Sequence, residues 1–222
     1  MNKISATQYR LFQTCPLQYK YKYKYHLISK KSDALSIGSL YHEMLEFYHK
    51  TGTEAHARQI IKDNPEHSEI LTHLLAKYLE NPVPGNVIET EFEFTVDIPN
   101  SDHKLYGFID RIDEDKGVEY KTSSKKWNEK DVDNIQTDIY MYVLYKKFGR
   151  PFPLVYSVNN KKTKLPPQII EIKKTEKEIL EVEKKMVEYI KKLEETDFPP
   201  NPGSHCYMCP WGPKGDGTCE YG

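Results

Sequence analysis

The hydrophobic positions in the first third of the chain repeat at helical spacing. Between residues 36 and 50, apolar side chains recur three and four positions apart, which predicts an amphipathic helix. Further helices are predicted over residues 54–63 and 65–80. Ser5 is followed three residues later by Gln8, which predicts a capping box that opens a short helix ending before Pro16. The N-terminal part is therefore predicted to be helical.

The pattern changes after the Pro- and Gly-containing stretch 81–85. Residues 88–98 alternate between apolar and acidic side chains, which predicts a strand with one buried face. The remaining patterns predict strands over 105–113, 118–122, 153–159 and 168–172 and helices over 131–148 and 175–195. A four-residue loop, 114–117, is predicted to join two of these strands as a hairpin. The tail, 199–222, has no periodicity and is rich in Pro, Gly and Cys, so we expect a ligand or docking to order it.

Length and composition then limit the class of protein. A chain of 222 residues has the size of one domain, and 38% hydrophobic with 29% charged residues is typical of a soluble globular protein. No apolar run approaches the ~18 residues of a membrane span, and the N-terminus lacks the pattern of a secretory signal. We therefore expect a protein of the reducing cytoplasm that makes no membrane contact. The net charge of −1 neither indicates nor excludes a polyanionic ligand.

The predicted hairpin carries acids and a lysine on one face. Pairing Asp113 with Val118 across the loop puts Asp110 opposite Lys121, and Glu119 projects from the same face. Carboxylates this close repel unless a divalent cation or the lysine lies between them. Hard oxygen ligands suit Mg²⁺ or Mn²⁺, which activates a bound water that a lysine can orient. The alternative is an ordinary surface hairpin with a cross-strand ion pair.

Polar residues on the flanking predicted helices strengthen the metal interpretation. His42 and Glu46 share one helix face four residues apart, and Gln136 and Tyr140 share a face of the helix after the hairpin. An amide and a phenol placed there could contact DNA or the lysine. A single helical histidine such as His42 is more often a satisfied interior residue than a ligand, and Tyr140 taken alone could be a core residue.

The cysteines indicate a second metal centre. Cys206 and Cys209 form a Cys-x-x-Cys pair, Cys219 follows nine residues after Cys209, and Cys15 lies near the other end of the chain. This spacing, in a tail too short to fold alone, argues for thiolate ligation of Zn²⁺ or a [4Fe–4S] cluster, between which spacing does not choose. His205 could replace one cysteine, and four unrelated reduced thiols are the remaining alternative.

Taken together, the motifs resemble the RecB-like branch of the PD-(D/E)XK nuclease superfamily. The matching motifs, in the order of that family, are Ser5 to Cys15-Pro16 followed by aromatic residues, Gly38-x-x-x-His42, Gly107-Phe-Ile-Asp110-Arg111, Glu119-Tyr-Lys121, Gln136-x-x-x-Tyr140 and the C-terminal cysteines. No single motif is specific, but the ordered set covers nearly the whole chain. The sequence departs from the pattern at Phe108-Ile109, where the superfamily name implies a proline, and at the long gap 210–218 before the last cysteine.

The resemblance implies an α/β fold with a restriction-endonuclease-like core, in which helices flank a central mixed sheet. It implies one nuclease domain over 1–222: a cluster-binding, aromatic and basic segment at 1–35, a core at 36–198 with a helical insertion at about 51–82, and a cysteine-rich tail at 199–222. The tail is expected to close on the N-terminal helix, with the metal cluster as a structural staple.

The resemblance also implies an activity and a set of site residues. His42, Asp110 and Glu119 would bind Mg²⁺ or Mn²⁺, and Lys121 would be catalytic together with the acids. Supporting or DNA-binding roles are expected for Gln136, Tyr140, Glu46 and Arg111. Cys15, Cys206, Cys209 and Cys219 would hold the iron–sulfur cluster, with Zn²⁺ as the alternative.

In size and in the absence of helicase motifs, the chain looks most like stand-alone iron–sulfur exonucleases of the CRISPR-associated and phage type. A similar function would be cleavage of DNA with single strands or free ends in a prokaryotic cell or a phage-infected host, with CRISPR adaptation or recombination proteins as partners. The alternatives are a non-catalytic nucleic-acid-binding adaptor subunit and a zinc-stabilised protein-interaction domain.

The alternating Tyr and Lys residues of 19–25 allow two interpretations. They could offer stacking surfaces and phosphate contacts to single-stranded DNA, as could Trp127. Alternatively, the segment is amphipathic, with buried tyrosines and solvated lysines.

Overall fold

A computed structural model describes residues 2–28, 33–163 and 165–221. Positions 29–32 of the predicted N-terminal segment lie outside the described residues. The chain forms two compact units. The first unit comprises Met1–Lys31, Thr95–Tyr106 and Glu183–Gly222, and the second comprises Ser32–Phe94 and Gly107–Val182. The single nuclease domain with its inserted helices stays a prediction.

Helices and strands follow one another in an α/β order. The helices are α1 (Ala6–Thr14), α2 (Pro16–Tyr19), α3 (Asp33–Thr51), α4 (Ala55–Asp63), α5 (Ser68–Glu80), α6 (Asn134–Phe148) and α7 (Glu176–Glu195). The strands are β1 (Asn2–Ile4), β2 (Val87–Asp97), β3 (His103–Asp113), β4 (Gly117–Ser123), β5 (Leu154–Asn160) and β6 (Gln168–Ile172). A π-helical turn, Lys20–Lys24, and short 3₁₀ turns complete the described elements.

The strands form a mixed sheet, as the sequence predicts. They pair in the order β1-β3-β4-β5-β6, and β2 also pairs with β3. β3 is antiparallel to β4, β4 is parallel to β5, and β5 is antiparallel to β6. The short β1, which no pattern predicts, runs parallel to β3 within the first unit. The predicted α/β class with a mixed sheet flanked by helices is thus confirmed.

The predicted register of the hairpin between β3 and β4 is wrong by two residues. Arg111, not Asp113, lies across from Val118, and β4 begins at Gly117, so the connection is shorter than the predicted four-residue loop. The shorter turn is closed by the Asp113 N–H, which donates to the Lys116 carbonyl at 2.8 Å. Because side chains alternate with period two, a shift of two leaves every residue on its predicted face. The same register now puts Asp110 across from Glu119.

The core of the second unit lies between helices and sheet. α3 and α5 pack on the face of β4 that carries Val118 and Tyr120, where Tyr41, Leu45 and Leu74 are fully buried. On the other face, Leu144 of α6 lies so close to Gly117 that a Cβ there would meet it at 2.8 Å. The two faces of β4 are therefore both covered, which explains why its acid and its lysine are largely withdrawn from solvent.

In the first unit, the cysteine-rich tail packs on the N-terminal helices. The capping box of Ser5 and Gln8 is formed as predicted. The Asn201 side chain donates to the Thr14 carbonyl at 2.8 Å, and Gln18 Nε2 donates to Cys209 Sγ at 3.3 Å. These contacts agree with a tail that closes on the N-terminal helix.

The alternating Tyr and Lys residues of 19–25 mostly form an amphipathic segment, in which tyrosines are wholly or partly buried and lysines face solvent. Tyr19 is buried and stacks on Phe198 at 6.0 Å between ring centroids, and it also contacts Phe12. Lys22 and Lys24 are exposed. Of these tyrosines, only Tyr25 is more than half exposed, so one ring at most is fully presented for stacking.

Gly85 is required where the chain enters β2. A Cβ at this position would lie 2.1 Å from Asp113 Oδ2, and the backbone φ of +152° is one that L residues rarely adopt. We expect Gly85→Ala to destabilise the fold by about 2–3 kcal/mol, as measured by urea unfolding. Gly52→Ala is the matched control, because Gly52 also has a positive φ but its Cβ would meet nothing within 4 Å. Equal losses in the two variants would contradict the close approach to Asp113.

Candidate metal centre

Asp110 is the centre of the candidate site. It lies near the end of β3 and is buried, with an exposed fraction of 8%. Its Oδ2 accepts a hydrogen bond from the Tyr120 N–H at 2.7 Å. Its Oδ1 lies 3.1 Å from His42 Nδ1. Helix α3 and the hairpin therefore meet at this carboxylate, and His42 is not an isolated interior histidine.

Glu91 joins these residues, although the sequence pattern does not identify it. One ligand atom each from His42, Glu91 and Asp110 lies within 4.8 Å of the others, and this is the one such set among residues 2–28, 33–163 and 165–221. In β2, Glu91 belongs to the acidic positions that the alternation assigns to solvent. Its φ of +48° interrupts the extended backbone, and residues 89–92 are all partly buried. A local break of this kind redirects a side chain, and the hydrophobic alternation carries no sign of it.

Glu119 has one satisfied oxygen and one that is not. Its Oε1 accepts from Lys121 Nζ at 2.6 Å and from Gln136 Nε2 at 3.0 Å. Its Oε2 is buried and has no hydrogen-bond partner in the described part of the chain. A buried carboxylate oxygen without a partner is unfavourable, and a cation would satisfy it.

Gln136 and Tyr140 share a face of α6, as the sequence predicts, and Gln136 contacts Glu119 of the candidate site. Gln136 Nε2 also contacts Tyr140 Oη at 2.9 Å, so an amide, a phenol and Glu119 form one chain of hydrogen bonds. Tyr140 is buried and packs edge-on against Phe94 at 5.9 Å between ring centroids. Tyr140 is thus both a core residue and part of the hydrogen-bond chain that ends at Glu119.

The electrostatics are those of acids held close together. Burial alone would raise the pKa of Asp110, but His42 and Lys121 outweigh burial and lower it. Burial lowers the pKa of His42, yet Asp110 more than compensates and raises it to about 9. Burial and the charge of Asp110 raise the pKa of Glu119 to about 7, and the same causes raise the pKa of Glu91 to about 7. A divalent cation would favour the ionised form of both glutamates and release protons as it binds.

A cavity of about 530 Å³ opens beside the carboxylates. Its lining residues are Gly38, Ser39, His42, Glu43, Glu46, Glu91, Lys121 and Thr122. Glu46 lies on this wall and forms an ion pair with Lys50. The cavity therefore gives a ligand direct access to His42, Glu91 and Lys121.

Arg111 lies on the other side of the strand from Asp110. It is buried, with an exposed fraction of 1%, and its guanidinium donates to both carboxylate oxygens of Asp113 at 2.6 and 2.7 Å. Direct contact of this guanidinium with DNA would require it to leave that pair. A supporting role is the one that its position favours.

The cysteines share the first unit but are not tightly gathered. Cys15 is buried, and Cys206, Cys209 and Cys219 are partly exposed. Within the described residues, no three of the sulfur atoms lie within 4.8 Å of one another. In a tetrahedral zinc site, with Zn–S bonds of about 2.3 Å, sulfur atoms lie about 3.8 Å apart. His205 Nε2 is buried without a hydrogen-bond partner among the described residues, so the tail holds a further candidate ligand.

Glu91 provides a test of the metal set. We expect Glu91→Gln to weaken Mn²⁺ binding by on the order of 10-fold or more, because it removes one anionic oxygen ligand from a closely spaced set. Isothermal titration of the purified protein measures this affinity. Glu93→Gln is the control, because Glu93 lies on the same strand but is exposed. An unchanged affinity in the Glu91 variant would remove Glu91 from the site.

Comparisons with known proteins agree with the architecture. The profile of the PD-(D/E)XK nuclease superfamily matches residues 3–213. The crystal structure of a candidate exonuclease from Eubacterium rectale is similar with a TM-score of 0.63 and 19% identity, over 94% of this chain and 87% of that chain. The crystal structure of the protein SSO0001 is similar with a TM-score of 0.53 and 16% identity, over 100% of this chain and 87% of that chain.

At these identities the likeness to solved structures concerns the fold alone. No curated protein matches the sequence significantly. None of the described helices combines the length and apolar character that crossing a membrane requires.

Proposed function

Because the chain belongs to the PD-(D/E)XK nuclease superfamily, whose members use divalent metal ions, we propose that it hydrolyses DNA with Mg²⁺ or Mn²⁺ bound by His42, Asp110 and Glu119. Glu91 is a further candidate ligand of the same ion or of a second one. The reaction adds water across a P–O bond and yields a phosphate monoester and a free hydroxyl.

The unsatisfied Oε2 of Glu119 carries this proposal. Two donors already occupy Oε1, so Lys121 and Gln136 hold the carboxylate in one orientation and leave the second oxygen for a cation. Hard carboxylate oxygens with one imidazole are ligands that suit Mg²⁺ and Mn²⁺. This donor set therefore fits the metal that the superfamily uses.

A bound divalent cation supplies a water of lowered pKa and neutralises charge on the scissile phosphate. The residues of the chain supply the rest. Lys121 is partly exposed and lines the cavity, so its ammonium can orient the attacking water or contact a phosphate oxygen. Tyr140 and Gln136 keep Glu119 in place, and Glu46 adds to the acidic wall. Lys121, Asp110 and Glu119 form the proposed catalytic set.

Within the nuclease class, we propose an exonuclease that prefers single strands or free ends. The resemblance to the RecB-like branch supports this choice, as does the exonuclease named among the structures of similar fold. That branch also suggests CRISPR adaptation or recombination proteins as partners. With such partners, the proposed location is the cytoplasm of a prokaryotic cell or of a phage-infected host.

The test is DNA cleavage under controlled metal content. End-labelled single-stranded and duplex DNA are incubated with the protein and Mn²⁺, Mg²⁺ or EDTA, alongside circular single-stranded DNA. We expect loss of linear single strands with either metal, no cleavage in EDTA and survival of the circle. Cleavage of the circle would identify an endonuclease. Absence of cleavage with binding to DNA would favour a non-catalytic adaptor subunit instead.

For the cysteines we propose a [4Fe–4S] cluster that staples the ends of the chain. The soft thiolate set and the packing of the tail on α1 and α2 support this role. Anaerobic purification with a visible spectrum and iron and sulfide analysis tests it, and we expect a brown protein. A Cys15→Ala variant is expected to lose the chromophore and to unfold at a lower temperature than the wild type. A colourless wild-type protein that contains zinc would show that the cysteines bind Zn²⁺ and not an iron–sulfur cluster.

A further inference from the structure

A second group of polar side chains lies buried within the second unit, on the side of the hairpin away from Asp110 and Glu119. Alternation along β3 and β4 places Arg111 and Tyr120 on this side. We define the buried polar cluster as His49, Tyr78, Arg111, Asp113 and Tyr120, of which His49 is partly buried and the other four are buried. The metal chemistry described above uses none of these side chains.

The members of the cluster are joined by short contacts. His49 Nε2 lies 2.7 Å from Tyr78 Oη and 2.9 Å from Tyr120 Oη, and the two hydroxyls lie 3.0 Å apart. One amino group of Arg111, Nη1, lies 3.3 Å from Tyr120 Oη and 3.4 Å from Tyr78 Oη. The other guanidinium nitrogens bind Asp113. The cluster is therefore one continuous hydrogen-bond network.

The protonation state of His49 follows from its neighbours. Burial and then the positive charge of Arg111 lower the pKa of His49 to about 4, against the opposing charge of Asp113. The imidazole is thus neutral at neutral pH. Arg111 Nη1, which can only donate, lies 3.5 Å from Nε2 of His49, so Nε2 is the acceptor and the ring proton sits on Nδ1. Nε2 has one lone pair, so one tyrosine hydroxyl donates to His49 and the other can donate to the neighbouring hydroxyl.

The cluster includes residues from three of the elements that carry candidate metal ligands. His49 lies two turns after His42 on α3, Arg111 follows Asp110 on β3, and Tyr120 lies between Glu119 and Lys121 on β4. Arg111 Nη1 also donates to the Val83 carbonyl at 3.1 Å, four residues before β2, the strand that carries Glu91. The cluster therefore joins α3, β3, β4 and the segment that leads into β2.

We propose that the buried polar cluster is a positioning unit, which holds α3, β3, β4 and the segment that leads into β2 in the arrangement that brings His42, Glu91, Asp110 and Glu119 to one cation. The inference rests on the proposed metal site but not on DNA cleavage. Groups behind a metal site commonly change metal affinity by about 10- to 100-fold when they are removed. His49 and Tyr120 act here through the backbone of the elements that carry the ligands.

The experiment compares paired variants by two readouts. Tyr120→Phe removes a hydroxyl from the cluster, His49→Leu removes its acceptor, and His49→Gln restores an acceptor at a similar reach. Tyr189→Phe is the control, because Tyr189 is equally buried but belongs to the first unit. The readouts are Mn²⁺ affinity by isothermal titration and hydrogen exchange of the Tyr120 amide, which donates to Asp110 Oδ2, in metal-free protein.

We expect Tyr120→Phe and His49→Leu to lose about 10-fold in Mn²⁺ affinity, with recovery in His49→Gln. In metal-free protein the Tyr120 amide should exchange about 10-fold faster relative to the Val158 amide of β5, which a general loss of stability would not produce. If both readouts of Tyr120→Phe stay within the range of Tyr189→Phe, the positioning role is wrong. If the variants give the expected affinities and exchange rates but the wild-type protein cleaves no DNA, the nuclease proposal is refuted and the positioning role is retained.

Discussion

Asp110→Asn is expected to reduce metal-dependent DNA cleavage by on the order of 100- to 1000-fold. The substitution keeps the size of the side chain but removes the charge that His42 and the Tyr120 N–H now share. A neutral amide oxygen binds a divalent cation more weakly than a carboxylate, so both the bound metal and the activated water are lost. The initial rate on end-labelled single-stranded DNA at saturating Mn²⁺ measures the effect.

The Asp110→Asn variant must be folded for its lower cleavage rate to be attributed to the metal site. Asparagine can still accept from the Tyr120 N–H, so we expect the far-UV circular dichroism spectrum and the cooperative unfolding transition to persist. Glu93→Gln, an exposed carboxylate on β2, serves as the matched loss of one charge and should keep the wild-type rate. Full activity in the Asp110 variant would refute the metal site proposed here.

Asp113→Ala is expected to cost about 3–5 kcal/mol in the free energy of unfolding. Asp113 is fully buried and binds the guanidinium of Arg111 through both oxygens, while Lys116 Nζ lies 3.4 Å from the same carboxylate. Removal of the acid leaves the Arg111 charge buried without its counter-ion, which is far more unfavourable than the loss of an exposed pair. Urea unfolding followed by circular dichroism measures the difference.

A double variant distinguishes the loss of the Arg111–Asp113 ion pair from the cost of leaving one buried charge unpaired. Arg111→Met combined with Asp113→Leu removes both charges at similar volume, and we expect it to be more stable than Asp113→Ala. Asp115→Ala is the control, because Asp115 is exposed on the same turn and binds only Lys116 at 2.9 Å, so its removal should change stability by less than about 0.5 kcal/mol. A loss below about 1 kcal/mol in Asp113→Ala would show that solvent relaxes around the unpaired arginine.

The sequence predicts the order of helices and strands well because each carries a local periodic pattern. The amphipathic spacing of α3, the capping box of α1 and the strands β5 and β6 all appear near their predicted bounds. The predicted hairpin turn is too long and its register is two residues out, because apolar alternation fixes which face a residue occupies but not which residue it opposes. The strand β1 is too short to have a detectable period.

For the candidate site, residue types and spacing predict that His42, Asp110, Glu119 and Lys121 lie together, and their roles as ligands and catalytic groups stay a prediction. They are recognisable because chemistry restricts divalent-metal ligands to few side chains, and because period-two and helical spacing set their faces. Spacing likewise identified Gln136 and Tyr140 as neighbours on α6.

Only the tertiary structure brought Glu91 to the site and gave Arg111 its buried partner. A single residue with positive φ turns Glu91 out of the alternating pattern, and no local sequence rule marks where such a break will occur. The network of His49, Tyr78 and Tyr120 joins residues far apart in the chain, so it exists only after α3, α5 and the hairpin have packed. Sequence by itself determined the local elements and the candidate ligand types, whereas packing determined which acids lie side by side, because that choice depends on distances between segments that local patterns do not encode.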